Sequence, residues 1–235
     1  MFTLDRVVPW GRSFDEYCAM FALSDRDLGL NILDCGGGPA SFNAEGTRGG
    51  HCIVSCDPIY RFTASQIETR IAATYAAIID QTRHNASEFV WTSIRSVDEL
   101  GAVRMAAMRK FLDDYPAGQL EGRYRNGELP TLPFADRSFD LALSSHFLFL
   151  YTEQFDESFH SSSIAEMGRV ADEVRIFPLL ALGSVRSRHL EPVTAEMRRR
   201  GFHVSIENVP YEFQKGGNQM MRIRRSDTAG EASTC

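Results

Sequence analysis

Three consecutive glycines, Gly36, Gly37 and Gly38, separate the apolar run LNILDC from the short helical pattern PASFNAEGTRGG. A strand that turns into a helix through glycines leaves few architectures open. Glycine adopts positive φ and lets a backbone approach a partner closely. The helix that follows presents free N–H groups at its start. Such a junction belongs to an α/β sheet, in which ligands sit at the carboxyl ends of the strands.

The rest of the chain repeats this alternation. HCIVSCDP reads as a second strand, stopped by Pro58. Thr63 with Gln66 forms a capping box, and Ile67, Ile71, Tyr75, Ile78 and Ile79 follow as one apolar stripe. Ser96 with Glu99 opens another helix, striped by Leu100, Val103, Ala107, Phe111 and Leu112 and expected to close at residues 116–118. SFDLALSS and EVRIFPLLAL read as strands, and HLEPVTAEMRRRG as a helix ended by Gly201. FHVSIENVPYEF and NQMMRIRR flank QKGG as a hairpin. Upstream, Ser13 and Glu16 cap a short helix. The expected fold is doubly wound α/β. Its mostly parallel, seven-stranded sheet carries an antiparallel C-terminal hairpin strand, and a helical insertion covers about residues 62–118. Residues 1–225 are expected to form one domain, and residues 226–235 a flexible polar tail.

Composition narrows the function classes. The 235 residues are 43% hydrophobic and 24% charged, ordinary for a globular chain. A net charge of −6 gives no global attraction to nucleic acid or anionic membrane. Five cysteines without a CxxC pair or zinc-ligand spacing predict reduced thiols in a cytoplasmic protein. No histidine–carboxylate cluster calls for a metal. No apolar run is long enough to span a membrane.

The glycine loop by itself fits a dinucleotide or S-adenosylmethionine (SAM). Asp57, at the end of the second strand and 19 residues beyond Gly38, is placed to accept from a ribose diol. The dinucleotide fingerprint G-x-G-x-x-G fails at Ser41. Asp34, two residues before the first glycine, is unhelpful beside a pyrophosphate but suits an α-ammonium or an ordered loop.

Further downstream, GELPTLPFADRSFDLALSS completes a resemblance to the class I SAM-dependent methyltransferases. Asp34-Cys35-Gly36-Gly37-Gly38 resembles that family's first motif and Asp57 its second. Gly127-Glu128, Leu132-Pro133-Phe134 and Ser138-Phe139-Asp140 resemble the segment leading into its fourth strand. Glu128 stands where the family has an aspartate near adenine, and Ala40 replaces a glycine. PWGRSFDEY, ILDCGGGPASFNAE and QKGGNQM are similar to a bacterial group of such enzymes without an assigned substrate.

The resemblance implies SAM as cofactor and S-adenosylhomocysteine as product. The expected cofactor residues are Asp34, Gly36, Gly37, Gly38, Asp57, Pro58, Glu128, Leu129 and Ser144. His146, after the fourth strand, is the candidate general base, since an ordinary imidazole titrates near neutral pH. Phe147, Phe149 and Tyr151 beside it suit either a sulfonium or the core. Trp10, Arg12, Tyr17 and Tyr151 are expected to form a lid or touch the acceptor. A small-molecule acceptor is expected, with no membrane and no nucleic acid as partner. Two other readings stay open: a SAM-binding sensor or scaffold without turnover, and a methyltransferase of RNA or protein using residues 186–189 and 222–225.

Overall fold

The computed structural model describes residues 2–4 and 7–225. Cys235 and the expected tail at residues 226–235 lie outside them. Helix α1 (Phe14–Met20) and the single turn α2 (Asp25–Leu28) lead into β1 (Asn31–Cys35), α3 (Phe42–Arg48) and β2 (Cys52–Cys56). Two long helices follow, α4 (Ala64–His84) and α5 (Val97–Leu120), then β3 (Tyr124–Arg125) and β4 (Phe139–Ser145). Helix α6 (Glu157–Val170), β5 (Ala171–Phe177), the small ribbon β6 (Leu180–Ala181) and β7 (Val185–Arg186), α7 (Leu190–Arg199), β8 (Phe202–Asn208) and β9 (Gln219–Arg225) complete the order.

Seven strands form one sheet in the order β3-β2-β1-β4-β5-β9-β8. All neighbours are parallel except β9, which runs antiparallel to both β5 and β8. This is the expected doubly wound sheet with its antiparallel hairpin strand. From β1 the chain first builds outward through β2 and β3, then returns to lay β4 on the other side of β1. That reversal opens a crevice at the carboxyl ends of β1 and β4.

The two-residue period of the strands sorts their side chains. Leu33, Ala142, Val174 and Ile176 face one core, together with Ile164 and Met167 of α6 and Val193 and Met197 of α7. Ile32, Leu141, Leu143 and Phe177 face the other, together with Tyr17 and Met20 of α1 and Phe42 of α3. Both faces are covered, so the strands are apolar almost throughout, as a parallel sheet requires.

Two boundaries differ from expectation. Helix α5 does not close at residues 116–118 but continues through Pro116 to Leu120. Its neighbours hold the last turn in place. Tyr115 Oη donates to Tyr60 O at 2.8 Å and to Phe62 O at 2.9 Å, and Gln119 Nε2 donates to Tyr60 O at 3.1 Å. These bonds offset the roughly 3 kcal/mol that an interior proline costs. The second difference concerns residues 62–118. Helix α5 joins β2 to β3 and packs on α3, which is the place of an ordinary crossover helix. The additional element is α4, which packs on α5.

Candidate functional site

A cavity of about 440 Å³ opens at the carboxyl ends of β1, β2 and β4. Gly36, Gly37 and Gly38 form part of its wall, Asp57, Pro58 and Ile59 another part, and Ser145 with His146 a third. Residues 7–10 and Arg12 cross it from the N-terminal side. This strap is pinned where Val8 N donates to Tyr151 Oη at 3.2 Å.

Physical necessity is visible in the loop. Gly36 and Gly38 have φ of +70° and +55°, in the left-handed region that favours glycine. Gly37 is required for space: a Cβ there would lie 2.0 Å from Asp34 Oδ2. Asp34 itself is 1% exposed and lies beneath the loop. It accepts from Tyr17 Oη and from Ser55 Oγ, each at 3.1 Å. Burial pushes its carboxyl up to about 7, although these two bonds pull the other way.

Asp57 ties the loop to the next turn. Its Oδ2 accepts from Gly38 N at 2.9 Å and its Oδ1 from Ile59 N at 2.7 Å. Tyr60 Oη donates back to Gly38 O at 2.8 Å. Burial raises Asp57 to about 6 against those two backbone bonds, and the charge of Glu128 adds to the rise. Each carboxylate oxygen carries one N–H bond and keeps acceptor capacity for a ligand hydroxyl.

His146 sits at a φ of +51°, and its backbone N donates to Phe177 O at 2.6 Å. Its Nδ1 lies 3.0 Å from Ser145 Oγ. Burial, with the charges of Arg12 and Arg104 behind it, holds the imidazole well below its ordinary pKa. A proton taken up there would face two guanidinium groups, so the general-base role expected of His146 finds no support in its surroundings.

Arg12 donates from Nη1 to Trp10 O at 2.6 Å, and its carbonyl accepts from Ser41 N at 2.9 Å. Its Nε is buried with no partner, and burial pulls the guanidinium down to about 10. The neighbouring carboxylate Glu16 is engaged elsewhere. Its Oε2 pairs with Arg104 Nη1 at 2.5 Å, and its Oε1 accepts from Tyr211 Oη at 3.0 Å.

Of the residues expected at the site, Gly36, Gly37, Gly38, Asp57, Pro58, Trp10, Arg12, Tyr17 and His146 all line the cavity. Five do not. Asp34 supports the loop from below. Ser144 points to the opposite face of β4 from Ser145, because neighbours on a strand alternate, and its Oγ is buried without a partner. Leu129 is buried in the core beside Leu33, Cys35 and Cys56. Glu128 is exposed in the turn before β4 and outside the cavity wall. Tyr151 is buried and holds the strap through Val8.

The sequence reading missed Arg104 and the roles of Glu16 and Ser145. Arg104 stands four residues after Leu100 and three before Ala107, a helical spacing that marks it as buried. Strand alternation puts Ser145 on the face of Leu141 and Leu143 and Ser144 on the other, but it does not say which face meets the cavity.

A second, smaller cavity of about 80 Å³ lies behind the first. Phe2, Leu4, Ile78, Phe89, Leu150 and Phe213 give it an apolar lining. Trp10, Arg12 and His146 line both cavities and form the wall between them.

No family model matches the chain. Among solved structures, magnesium protoporphyrin IX methyltransferase from Synechocystis PCC 6803 with bound SAM aligns at 12% identity and a TM-score of 0.46. The alignment covers 91% of this chain and 78% of that one. A 1,6-didemethyltoxoflavin-N1-methyltransferase from Burkholderia thailandensis aligns at 16% identity and a TM-score of 0.46, covering 91% and 80%. Closer in sequence is the Uncharacterized protein MJ0045 of Methanocaldococcus jannaschii. It is 35% identical over 216 residues, which are 92% of this chain and 95% of that protein. At that identity over nearly the full length of both proteins, the chain belongs to the family of MJ0045.

Proposed function

We propose that the chain is a SAM-dependent methyltransferase that binds SAM in the larger cavity and transfers its methyl group to a small-molecule acceptor. The observation that carries this reading is the pairing of the residue 36–38 loop with Asp57 at the point where the sheet reverses direction. Those residues fit the cofactor. The glycines bring backbone close to a ligand without side chains. At Gly38 even an added Cβ would meet nothing within 4 Å. The carboxylate of Asp57 keeps lone pairs for a ribose diol.

When bound, SAM supplies an electrophilic methyl on a sulfonium, with a neutral thioether as leaving group. The protein's part is then to align, enclose and desolvate. Fixing two reactants in line can supply roughly 7–11 kcal/mol in favourable cases. The strap of residues 7–12 excludes water from one side, and α4 closes another through Arg70, Ala73 and Thr74.

A small acceptor is favoured over RNA by the state of the basic residues. Arg186 pairs with Glu191 and Arg188 with Glu153. Arg222 and Arg224 both pair with Glu173, and Arg225 donates to Gly168 O. All but Arg225 face carboxylates within the fold, which weakens residues 186–189 and 222–225 as a surface for phosphates.

Isothermal calorimetry with SAM, S-adenosylhomocysteine and NADH tests the reading. Micromolar binding of the two adenosyl ligands with NADH silent is the expected result. Binding of NADH without SAM would overturn it.

A further inference from the structure

We propose that the smaller cavity is the acceptor chamber, and that the acceptor is a small apolar carboxylic acid whose carboxylate Arg12 holds for methyl esterification. This rests on the reading of the larger cavity as the SAM site.

Three observations at the shared wall lead there. First, Arg12 belongs to both cavities, and its Nε is buried without a partner. Only Nη1 is spent, on Trp10 O. The edge formed by Nε and Nη2 has no acceptor among the described residues, and that edge matches a carboxylate in a two-point fork. Arg12 makes no direct ion pair among the described residues, and its carboxylate neighbour Glu16 is bound to Arg104 and Tyr211, which leaves the Nε edge open to a counter-ion. An anionic ligand supplies it.

Second, the wall carries no competent base. His146 faces Arg12, has Ser145 Oγ at its Nδ1 and stays neutral. The carboxylate of the smaller cavity, Glu88, is engaged by Phe2 N, from which it accepts at 3.2 Å. A phenol, alcohol or ammonium must lose a proton before or during transfer. A carboxylate arrives already deprotonated at neutral pH.

Third, the remaining lining is mostly apolar and aromatic, with Thr82, Glu88 and Gln214 as its polar members, and 80 Å³ suits a short or single-ring tail. The tail fills the chamber, and the carboxylate meets Arg12 where the two cavities touch.

The reaction balances without proton transfer. A carboxylate oxygen lone pair forms the new O–CH3 bond. The S–CH3 bond breaks, and its electron pair stays on sulfur. A carboxylate anion and a sulfonium cation become a methyl ester and neutral S-adenosylhomocysteine.

The test uses the full chain with methyl-labelled SAM and four probes: phenylacetate, hexanoate, phenethyl alcohol and phenethylamine. The expected product is label on the two acids that mild alkali releases as methanol, with none on the alcohol or amine. Arg12→Met should lower acid methylation at least a hundredfold when both proteins are saturated with SAM. Arg12→Lys keeps the charge but loses the fork, and should fall between. Three results would overturn the proposal. One is label on the alcohol or amine instead of the acids. Another is no methylation of either acid at millimolar concentration by protein shown to be saturated with SAM. The third is an Arg12→Met that weakens SAM but leaves 5′-methylthioadenosine binding unchanged, which would assign Arg12 to the cofactor's carboxylate. Failure of wild-type protein to bind SAM is a separate result that removes the underlying reading.

Discussion

Tyr17 donates its phenol to Asp34 Oδ1 across 3.1 Å, which fastens the first helix to the carboxylate beneath the glycine loop. The bond joins two segments that the sequence keeps apart, the strap-and-helix region and the end of β1. Tyr17 also stacks on Phe42 at the start of α3, with ring centroids 4.3 Å apart. One side chain therefore sets the height of the loop, the entry to α3 and the path of the strap.

Tyr17→Phe keeps that packing and removes one hydrogen bond from a buried carboxylate. The loss should cost about 1–3 kcal/mol, read as a lower urea midpoint. It should also depend on pH. Burial pushes the Asp34 carboxyl up to about 7 in the folded chain, well above the ordinary carboxylate range. A carboxyl raised by folding contributes stability that is fully present below its unfolded pKa and lost as pH rises through its folded one. Without Tyr17 the charged form is worse still, so Tyr17→Phe should cost more at pH 8 than at pH 5. An equal cost at both would place the charge elsewhere.

Gly37 and Gly38 separate two reasons for a glycine. An alanine at residue 37 would set its Cβ 2.0 Å from Asp34 Oδ2, on a carboxylate held by Tyr17 and Ser55. The loop must shift, and Gly37→Ala should abolish SAM binding and lower the melting temperature. At residue 38 a Cβ meets nothing within 4 Å, and only the φ of +55° opposes it. Gly38→Ala should cost about 1–2 kcal/mol and leave a folded protein. The reverse ranking by thermal melt would mean that the loop is not packed on Asp34.

Local signals carried much of this fold. The glycine junction, the capping boxes and the strand punctuation at Pro58 each rest on a few adjacent residues. Site residues on the loop and at strand ends were legible for the same reason. Ser144 and Ser145 show where local reading fails. Strand alternation separates them, but choosing the face requires knowing which core each covers. Glu16 shows another limit. Its capping role is local and evident, since Ser13 N donates to its Oε2 at 3.0 Å. Its partner Arg104 is 88 residues away. Pro116 misled because the bonds that carry the helix past it come from Tyr60 and Phe62, on another element.

Arg104 and Glu16, behind the wall that Arg12 and His146 form, give a stability prediction. Burial by itself would raise Glu16; the charge and hydrogen bond of Arg104, with the Ser13 backbone and Arg12, hold it down at about 2. Arg104→Met should cost about 3–5 kcal/mol at pH 7, as removal of one partner from a buried pair does. A carboxyl lowered by folding contributes stability present above its unfolded pKa and lost as pH falls through the folded one. The gap between wild type and variant should therefore narrow as pH falls from about 4.5 to 2. Urea titrations at pH 7 and pH 3 check it, and a gap unchanged by pH would contradict the pairing.

Asp57 links the same physics to cofactor binding. Its carboxyl is raised to about 6 in the free protein, chiefly by burial. Ribose hydroxyls donate to a carboxylate and strengthen its charged form, so SAM should bind the deprotonated protein more tightly. Lowering pH from 7.5 to 5 protonates Asp57 and should weaken SAM about tenfold, the factor expected one unit below a pKa near 6. Asp57→Asn removes the titration and should give weaker binding whose remaining pH dependence is shallower than that of wild type. Asp34, raised in part by the charge of Asp57, shifts down when that charge is removed, so Asp34→Asn with and without Asp57→Asn separates the two carboxyls. Calorimetry across that range decides the matter: parallel profiles would show that the ribose does not rest on Asp57, while convergence at low pH would assign the carboxylate its ligand.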